Sequence, residues 1–235
     1  MMNKAEVFDL LEQHQNPRGL AHWKSMKNTG GLDSFGIGLT QLRKLAKQIG
    51  KDHQLALELW NTNNHDAKLI GLLIDEAKKI TEEQAEKQVE GLGIGMLSHV
   101  FSACGNTLVK TPFAHRLAEK WLDSKDSIRR RCAYGLYYEL SKNKRNKSLT
   151  DEYFLNCIEQ IRQNFVNESA NTKASMGGAL IGIGKRNLLL NAEAVKLAKT
   201  IGAIDFNEEG GKCEPMDVLK HITSDYVKNK LGIKQ

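Results

Sequence analysis

Apolar residues recur at helical spacing along almost the whole chain, and the pattern is clearest between residues 35 and 80. Leu42, Leu45, Ala46 and Ile49 fall at positions i, i+3, i+4 and i+7, so they share one stripe of a helix. A second apolar stretch runs from residue 69 to residue 74, after a polar break that Asn64 is suited to cap. Helices this short are unstable alone, so the pattern predicts two helices folded back on each other.

A similar unit recurs further along the chain. Trp60, a polar break and the stretch from Asp66 to Leu72 have a counterpart in Trp121, a polar break and the stretch from Arg130 to Tyr134. A weaker third copy runs from Asn171 to Gly177. All-helical repeats of a few tens of residues predict an all-α fold, an α-solenoid of HEAT-like repeats forming an ARM-type superhelix. An ordinary helical bundle with chance internal similarity is the alternative.

Turn and cap residues place the helix ends. We expect helix starts at Pro17, at a capping box of Thr81 and Gln84, at Thr111-Pro112, at Asp126 and at Asn191, and a tail helix over residues 218–227. No alternating segment predicts a strand. Because no stretch has the composition of a linker, we predict one domain over residues 1–235, with N-terminal helices (1–34), a repeat array (35–203) and a C-terminal tail (204–235).

Composition narrows the class of protein. Cys104, Cys132, Cys157 and Cys213 are far apart and form no CxxC motif, so we expect reduced thiols and neither a zinc site nor a disulfide framework. No segment approaches membrane-spanning length, and no apolar run follows a basic start. The sequence therefore predicts a cytoplasmic monomer without a membrane anchor, a metal ion or a cofactor.

Basic residues exceed acidic ones by a small margin, 34 against 28, for a net charge of +6. They concentrate in three clusters, residues 129–131, 142–147 and 185–186, each next to a predicted helix end. If helix ends line one concave face of a solenoid, these clusters form a positive strip suited to nucleic-acid phosphates, with salt-sensitive binding. Each cluster taken singly is equally consistent with an ordinary solvated surface.

Four motifs, in order and at similar spacing, resemble the bacterial DNA alkylation repair family. They are Phe35-Gly36-Ile37 with Leu42-Arg43-Lys44-Leu45-Ala46-Lys47, then Leu59-Trp60 with His65-Asp66-Ala67-Lys68, then Lys110-Thr111-Pro112-Phe113-Ala114, and Ile183-Gly184-Lys185-Arg186-Asn187. The resemblance covers roughly residues 35–203. It implies an array of HEAT-like repeats that holds duplex DNA on a basic concave face, and active members are glycosylases that remove cationic N3- or N7-alkylated purines.

The resemblance fails at the catalytic positions. A cationic base leaves readily, so such a site chiefly needs a carboxylate and a positioned water for the developing oxocarbenium sugar. Active members supply an aspartate from a Trp-Asp-x-x-Asp run before Lys-Thr-Pro-Phe-Ala, and a second tryptophan before Gly-Lys-Arg. Here the corresponding positions hold Leu97, Phe101 and Gly178, and no Asp or Glu occurs between Gly91 and Arg116. The sequence thus leaves open whether the protein is an enzyme.

The basic residues of the family motifs are better preserved in this sequence than the catalytic residues. The candidates for phosphate contacts are Arg131, Lys185 and Arg186, with Arg130, Lys142, Lys144 and Arg145. An ion pair between helices is the alternative role for Arg131. We predict that His99 and the three tryptophans, Trp23, Trp60 and Trp121, are packing residues rather than catalytic residues.

Three functions follow from these residues. The first is a DNA-binding protein of the repair family that lacks the glycosylase carboxylate. The second is an active alkylpurine glycosylase with a divergent pocket, whose acid comes from Glu119, Asp126 or Glu139. The third is a helical-repeat scaffold that binds RNA or an acidic protein.

Overall fold

The computed structural model describes residues 2–103, 105, 107–206 and 214–233, and within these ranges it is helical with no strand. Only two isolated bridges occur there, Asp33 with Asn64 and Ile204 with Met216. The chain divides into two compact units, Met1–Thr111 and Pro112–Gln235. The division of the chain into one domain with helices, array and tail stays a prediction.

Seven α-helices build the described part of unit 1. They are α1 (Lys4–Gln13), α2 (Pro17–Ser25), α3 (Leu39–Ile49), α4 (His53–Trp60), α5 (His65–Ile74), α6 (Glu82–Val89) and α7 (Leu97–Ser102), followed by a 3-10 turn at Leu108–Lys110. Helix α5 is central, because α1, α3, α4 and α7 all pack against it. Its residue Gly71 lets α4 approach closely, since a Cβ there would lie 2.8 Å from the carbonyl oxygen of Ala56.

Seven more helices build unit 2 within its described residues. They are α8 (Ala114–Leu122), α9 (Ser127–Leu140), α10 (Asp151–Asn164), α11 (Ala170–Gly184), α12 (Leu188–Ile201), α13 (Val218–Ile222) and α14 (Asp225–Leu231), with a 3-10 turn at Phe165–Asn167. Helices α9 and α11 pack along each other. A Cβ at Gly182 of α11 would lie 2.5 Å from the Ser141 hydroxyl, so glycine permits this contact, as the glycine-rich sequence indicates.

The repeated sequence units coincide with helix pairs. Trp60 ends α4 and α5 follows, while Trp121 lies in the last turn of α8 and α9 follows. The third copy lies in the first two turns of α11, which follows α10. The first two copies therefore mark the passage from one helix to the next, and the third marks the start of a helix that follows another.

Several predicted helix starts are confirmed. Asn64 and Asp126 accept backbone N–H bonds at the starts of α5 and α9, from Ala67 and Ile128. Pro17 is the first residue of α2. These caps bond only to the next turn of the same chain segment, which is why they are readable from sequence.

Two other predicted starts are met only in part. Thr81 caps α6 as predicted, but the capping box is incomplete, because the Gln84 amide donates to the distant Asp75. Helix α8 starts at Ala114 rather than at Pro112, and the Thr111 hydroxyl donates to the Leu108 carbonyl of the preceding 3-10 turn instead of capping the helix.

The last array helix and the tail differ from expectation as well. Asn187 caps α12, and Asn191 lies inside the helix, where its amide donates to the carbonyls of Gly184 and Ile222. The predicted tail helix is two helices, α13 and α14, separated by a break at Thr223 and Ser224. The acidic residues Glu208 and Glu209 of the sequence lie outside the described residues.

We expect Gly71→Ala to destabilise the protein by about 1–3 kcal/mol, because the new methyl group would push α4 and α5 apart at a backbone carbonyl. Gly178→Ala in α11 is the matched control, since a Cβ there meets nothing within 4 Å. A helical glycine replaced by alanine in open space should gain up to about 1 kcal/mol. Urea unfolding of both variants tests this, and equal shifts in the two would contradict it.

Candidate nucleic-acid interface

Phe101, which the motif spacing aligns with the catalytic aspartate of active family members, lies in the core of unit 1. Its side chain is 3% exposed, and Leu97 on the same face of α7 is fully buried. The cavity beside the ring, between Leu72, Ile80 and Val100, measures about 10 Å³. That volume is at the lower limit for one water molecule, so the position offers no space for a nucleobase.

A carboxylate that the sequence did not single out lies beside the same cavity. Asp75 lines the same cavity as Phe101 and is buried. Its carboxylate accepts hydrogen bonds from His53 Nδ1 at 2.6 Å, from the Gln84 amide at 2.7 Å and from the Glu76 N–H at 2.7 Å. These donors explain its burial, and they give Asp75 a structural role at the end of α5.

Gly178, which the motif spacing aligns with the second tryptophan of active members, lies on α11, with open space where a side chain would project. The acids weighed as replacements also lie in unit 2. Asp126 caps α9 and pairs with Arg129, and Glu139 is buried and pairs with Lys142. Glu119 is an exposed residue of α8. Two of the three acids are therefore occupied in structural contacts.

Asp66 explains why two of the family motifs occur together. Its buried carboxylate accepts hydrogen bonds from the Ser34 hydroxyl at 2.6 Å, the Phe35 N–H at 2.8 Å and the Ile37 N–H at 3.2 Å. The motif around Phe35 is thus the loop that the motif around Asp66 holds in place. Sequence alone pointed to this contact only through the joint presence of the two motifs.

His65 is a second buried anchor beside Asp66. Its ring lies 4.6 Å from the Trp23 ring, centroid to centroid, and its Nε2 accepts the Met96 N–H at 3.4 Å. Burial lowers the pKa of His65, while the neighbouring Asp66 charge acts in the opposite direction. The neutral imidazole therefore links α2 and α5 to the segment that leads into α7.

The tryptophans are packing residues, as expected. Trp121 and Trp23 are buried, and Trp60 is half-buried beneath the ammonium group of Lys68, which lies 4.6 Å from the ring centroid and also donates to the Trp60 carbonyl. His99 lies half-buried on α7. Lys68, which the family motif contains, thus closes the α4–α5 turn.

Arg130 is bound inside unit 2. Its guanidinium forms two hydrogen bonds with Glu168, one of them 3.0 Å from Nη2 to Oε2, and a further one of 2.8 Å to the Ser124 carbonyl. Glu168 is buried, so this bidentate pair joins the start of α9 to the segment before α11. Arg131 is half-buried on the same helix. The pairing makes Arg130 a structural residue.

Arg186 holds a loop that carries several of the other candidates. Its guanidinium donates to the carbonyls of Ser141 at 2.9 Å, Asn143 at 2.8 Å and Leu149 at 3.0 Å, and lies 4.6 Å from the Phe154 ring centroid. We call residues 141–149 the basic loop. Because Arg186 follows α11 directly, these bonds bring the ends of α9 and α11 together.

The basic loop presents its charges on an ordered backbone. The Asn143 side chain accepts the N–H groups of Arg145 and Asn146, and Lys142 pairs with Glu139 at 2.9 Å and lies over the Tyr138 ring. The side chains of Lys144, Arg145 and Lys147 are exposed. These three cations have no carboxylate partner among the described residues, which suits them to phosphate contacts.

Lys185 is the fourth available cation at this end of unit 2. It is half-buried at the end of α11, next to Arg186 in the chain. Burial and then the nearby charge of Lys230 on α14 lower the pKa of Lys185. Lys230 was missed by the sequence reasoning, although the Lys-Asn-Lys run of the tail was visible. Two neighbouring ammonium groups favour an anion at this position.

The described part of the chain also contains cysteine thiols and possible metal ligands. There, no three His, Cys, Asp or Glu side chains are grouped to hold a metal ion. Cys132 and Cys157 are buried thiols, and burial raises the pKa of Cys157, whereas Cys104 and Cys213 lie outside the described residues. None of the described helices combines the length and apolarity that crossing a membrane requires.

Comparison with known proteins agrees with the motifs. The sequence profile of the DNA alkylation repair enzymes matches residues 8–201, which is most of the chain. The chain belongs to the DNA alkylation repair enzyme family. This family member therefore falls in a group with a DNA-related role, as the four motifs predicted.

Similar proteins cover nearly the whole length of this family member. An uncharacterized protein of Listeria innocua is 26% identical over 222 residues, 92% of this chain and 96% of its own. One from Listeria monocytogenes is 25% identical over the same shares. A solved structure, from a family described as related to the HEAT-like repeat DNA glycosylases with affinity for branched DNA structures, matches with a TM-score of 0.82 at 23% identity. It covers 100% of this chain and 98% of its own, which confirms the all-α HEAT-like fold.

We expect His65→Gln to reduce the dependence of stability on pH. A histidine whose pKa is lowered by folding binds its proton more readily in the unfolded chain, so the free energy of unfolding is greatest above pH 6.5 and decreases as the pH falls below it. The glutamine retains an acceptor for the Met96 N–H but does not titrate. Urea unfolding from pH 7.5 down to about pH 5 measures the effect.

His22→Gln controls for loss of an exposed imidazole from α2. If His65→Gln and the wild-type protein lose the same free energy of unfolding over this range, the buried neutral imidazole is not the cause of the pH dependence.

We expect Arg186→Gln to cost about 1–3 kcal/mol of stability, because three carbonyls lose a charged donor at once. The basic loop should also become a faster substrate for trypsin, since its backbone loses its fixed geometry. Arg186→Lys should rescue little, because one ammonium group does not reproduce the planar fork. Arg145→Gln, on the loop surface, is the control and should stay within about 0.5 kcal/mol of wild type. Wild-type stability and trypsin resistance in Arg186→Gln would refute the role of Arg186.

Proposed function

We propose that this protein binds DNA through the phosphate backbone, using the basic loop and Lys185, and does not excise alkylated purines with a carboxylate from α7. The proposal that no α7 carboxylate excises bases rests on Phe101, a buried aromatic residue that aligns with the aspartate of active members. A carboxylate that stabilises an oxocarbenium ion must lie next to the sugar. Neither Phe101 nor any residue of the surrounding segment 91–116 carries one.

The proposal of DNA binding rests on the positive charge of the basic loop and on its ordered backbone. Lys144, Arg145 and Lys147 are exposed on a loop whose backbone is fixed by Arg186 and by the Asn143 side chain. An ordered loop loses little conformational entropy when it binds, so its charges are available at low cost. Such contacts fix position on the nucleic acid and carry no sequence preference. The family's DNA-related role supports DNA as the polyanion.

The kind of DNA is part of the proposal. The resemblance to the repair family implies duplex DNA on a basic concave face, and the solved relative is described as having affinity for branched DNA structures. We propose that this protein holds duplex arms, as a monomer, and that a branch or distortion adds to its affinity. Phosphate contacts alone would bind both forms, so the two must be compared at the same salt concentration.

We expect the double variant Lys144→Gln/Arg145→Gln to weaken binding to labelled duplex DNA in fluorescence anisotropy. The slope of log affinity against log salt should fall by about 0.9 for each phosphate contact removed. Lys196→Gln/Lys199→Gln removes the same charge from α12, with Lys199 about 16 Å along the helix axis from its start beside Arg186. An equal loss in the two variants would mean that net charge, and not the basic loop, determines binding.

The same samples test for chemistry. Duplex DNA containing 7-methylguanine should release no base above the rate without protein, because the carboxylate is missing. Release that Glu119→Gln, Asp126→Asn or Glu139→Gln abolishes would establish the divergent glycosylase instead. Equal affinity for a mismatched RNA hairpin would favour a general scaffold, and absence of binding to either nucleic acid would exclude the proposal.

A further inference from the structure

Three exposed apolar side chains lie at the end of unit 2 that carries the basic residues. Leu188 and Leu189 open α12 and are 56% and 51% exposed, and Tyr226 of α14 is 70% exposed. Scattered exposed apolar residues are normal on a protein surface, but a group of them next to cations indicates a binding surface. The relative positions of the three therefore matter.

Hydrogen bonds and helix spacing place them near one another. The Asn191 amide donates to the Gly184 carbonyl at 2.7 Å and to the Ile222 carbonyl at 2.9 Å, which holds the first turn of α12 against the end of α13. Tyr226 follows Ile222 after one short turn. Tyr226 and Lys230 are four residues apart on α14 and share one of its faces.

Several cations lie beside this apolar group, together with two carboxylates, those of Asp225 next to Tyr226 and of Asp151, which accepts a hydrogen bond from the Asn187 amide. Lys230 lies close enough to Lys185 for its charge to affect that ammonium group, and Lys185 precedes Leu188 by three residues. Arg186, between Lys185 and Leu188 in the chain, binds the basic loop with its exposed Lys144 and Arg145. The apolar group is therefore flanked by positive charge from the α11–α12 turn, from α14 and from the basic loop.

We propose that Leu188, Leu189 and Tyr226 form a wedge that contacts unstacked or unpaired bases at a branch point in DNA, while the neighbouring lysines and arginines hold the phosphates. Aliphatic side chains that insert at a base step stabilise its unstacked form, and exposed aromatic rings stack on unpaired bases. Fully paired linear DNA offers no such base faces. The wedge would thus distinguish branched from linear DNA without reading sequence.

This inference rests on the proposed DNA binding and adds the residues that select the form of DNA. A second copy of the chain is a competing occupant of the same apolar group. The surrounding positive charge argues against it, because two identical copies would bring their own cations together. A polyanion that also offers apolar faces satisfies both features of this surface.

The experiment compares a four-way junction with a linear duplex of the same arm sequence, with 2-aminopurine at the branch point. The variants are Leu188→Gln/Leu189→Gln and Tyr226→Ser, with Tyr226→Phe as the conservative change. Val166→Gln is the control, since Val166 is 82% exposed in the 3-10 turn Phe165–Asn167. All changed side chains are exposed, and circular dichroism confirms that the variants fold.

Wild-type protein should bind the junction more tightly than the duplex and change the 2-aminopurine fluorescence. Leu188→Gln/Leu189→Gln and Tyr226→Ser should each lose on the order of tenfold in junction affinity, together with the fluorescence change. Their affinity for linear duplex should stay at the wild-type value. Tyr226→Phe and Val166→Gln should behave as the wild type does.

Three outcomes would overturn the wedge. Unchanged junction affinity and fluorescence in both variants would do so while leaving DNA binding intact. Sedimentation showing a wild-type dimer that Leu188→Gln/Leu189→Gln converts to a monomer would make this group a subunit interface. If wild-type protein binds neither form of DNA, the proposed function itself fails, and the wedge fails with it.

Discussion

The structure depends on charged side chains that each satisfy several backbone groups of one connection. Helices of five to fifteen residues leave a large share of their N–H and C=O groups without intrahelical partners. Asp66 accepts two backbone N–H groups of the loop before α3, and Arg186 donates to three carbonyls of the basic loop. Lys51 does the same for the carbonyls of Leu73 and Asp75 at the end of α5. Leaving such groups unpaired would cost more than their bonds contribute.

This use of charge divides the basic residues into two classes. The guanidinium groups of Arg130 and Arg186 are bound to Glu168 and to the basic loop. Lys144, Arg145 and Lys147 are exposed on the basic loop and are accessible to external partners. Arginine suits the internal role, because its planar fork reaches several acceptors at once. The motif residue Arg186 thus fixes the loop, and in the proposed function its exposed neighbours make the phosphate contacts.

The sequence predicted the elements better than it predicted the site. Helical periodicity and local caps such as Asn64 and Asp126 depend on residues one turn apart, so they are visible in a linear pattern. Asn191 was misread because its partners, Gly184 and Ile222, are brought to it by the fold. Arg130 was read as a phosphate ligand for the same reason. Its partner Glu168 lies 38 residues away, and no local pattern indicates their contact.

Under the proposed function, a missing carboxylate and retained cations have different physical consequences. The carboxylate of active members acts as charge develops on the sugar, so its absence would remove a contribution to the rate and leave the phosphate contacts unchanged. Cations on the proposed binding surface would contact phosphates in every complex, damaged or intact. A family member without the carboxylate could therefore keep its affinity for DNA as long as the basic loop keeps its shape. That shape depends on the bonds from Arg186 to three carbonyls, so the proposed binding and the fold share this requirement.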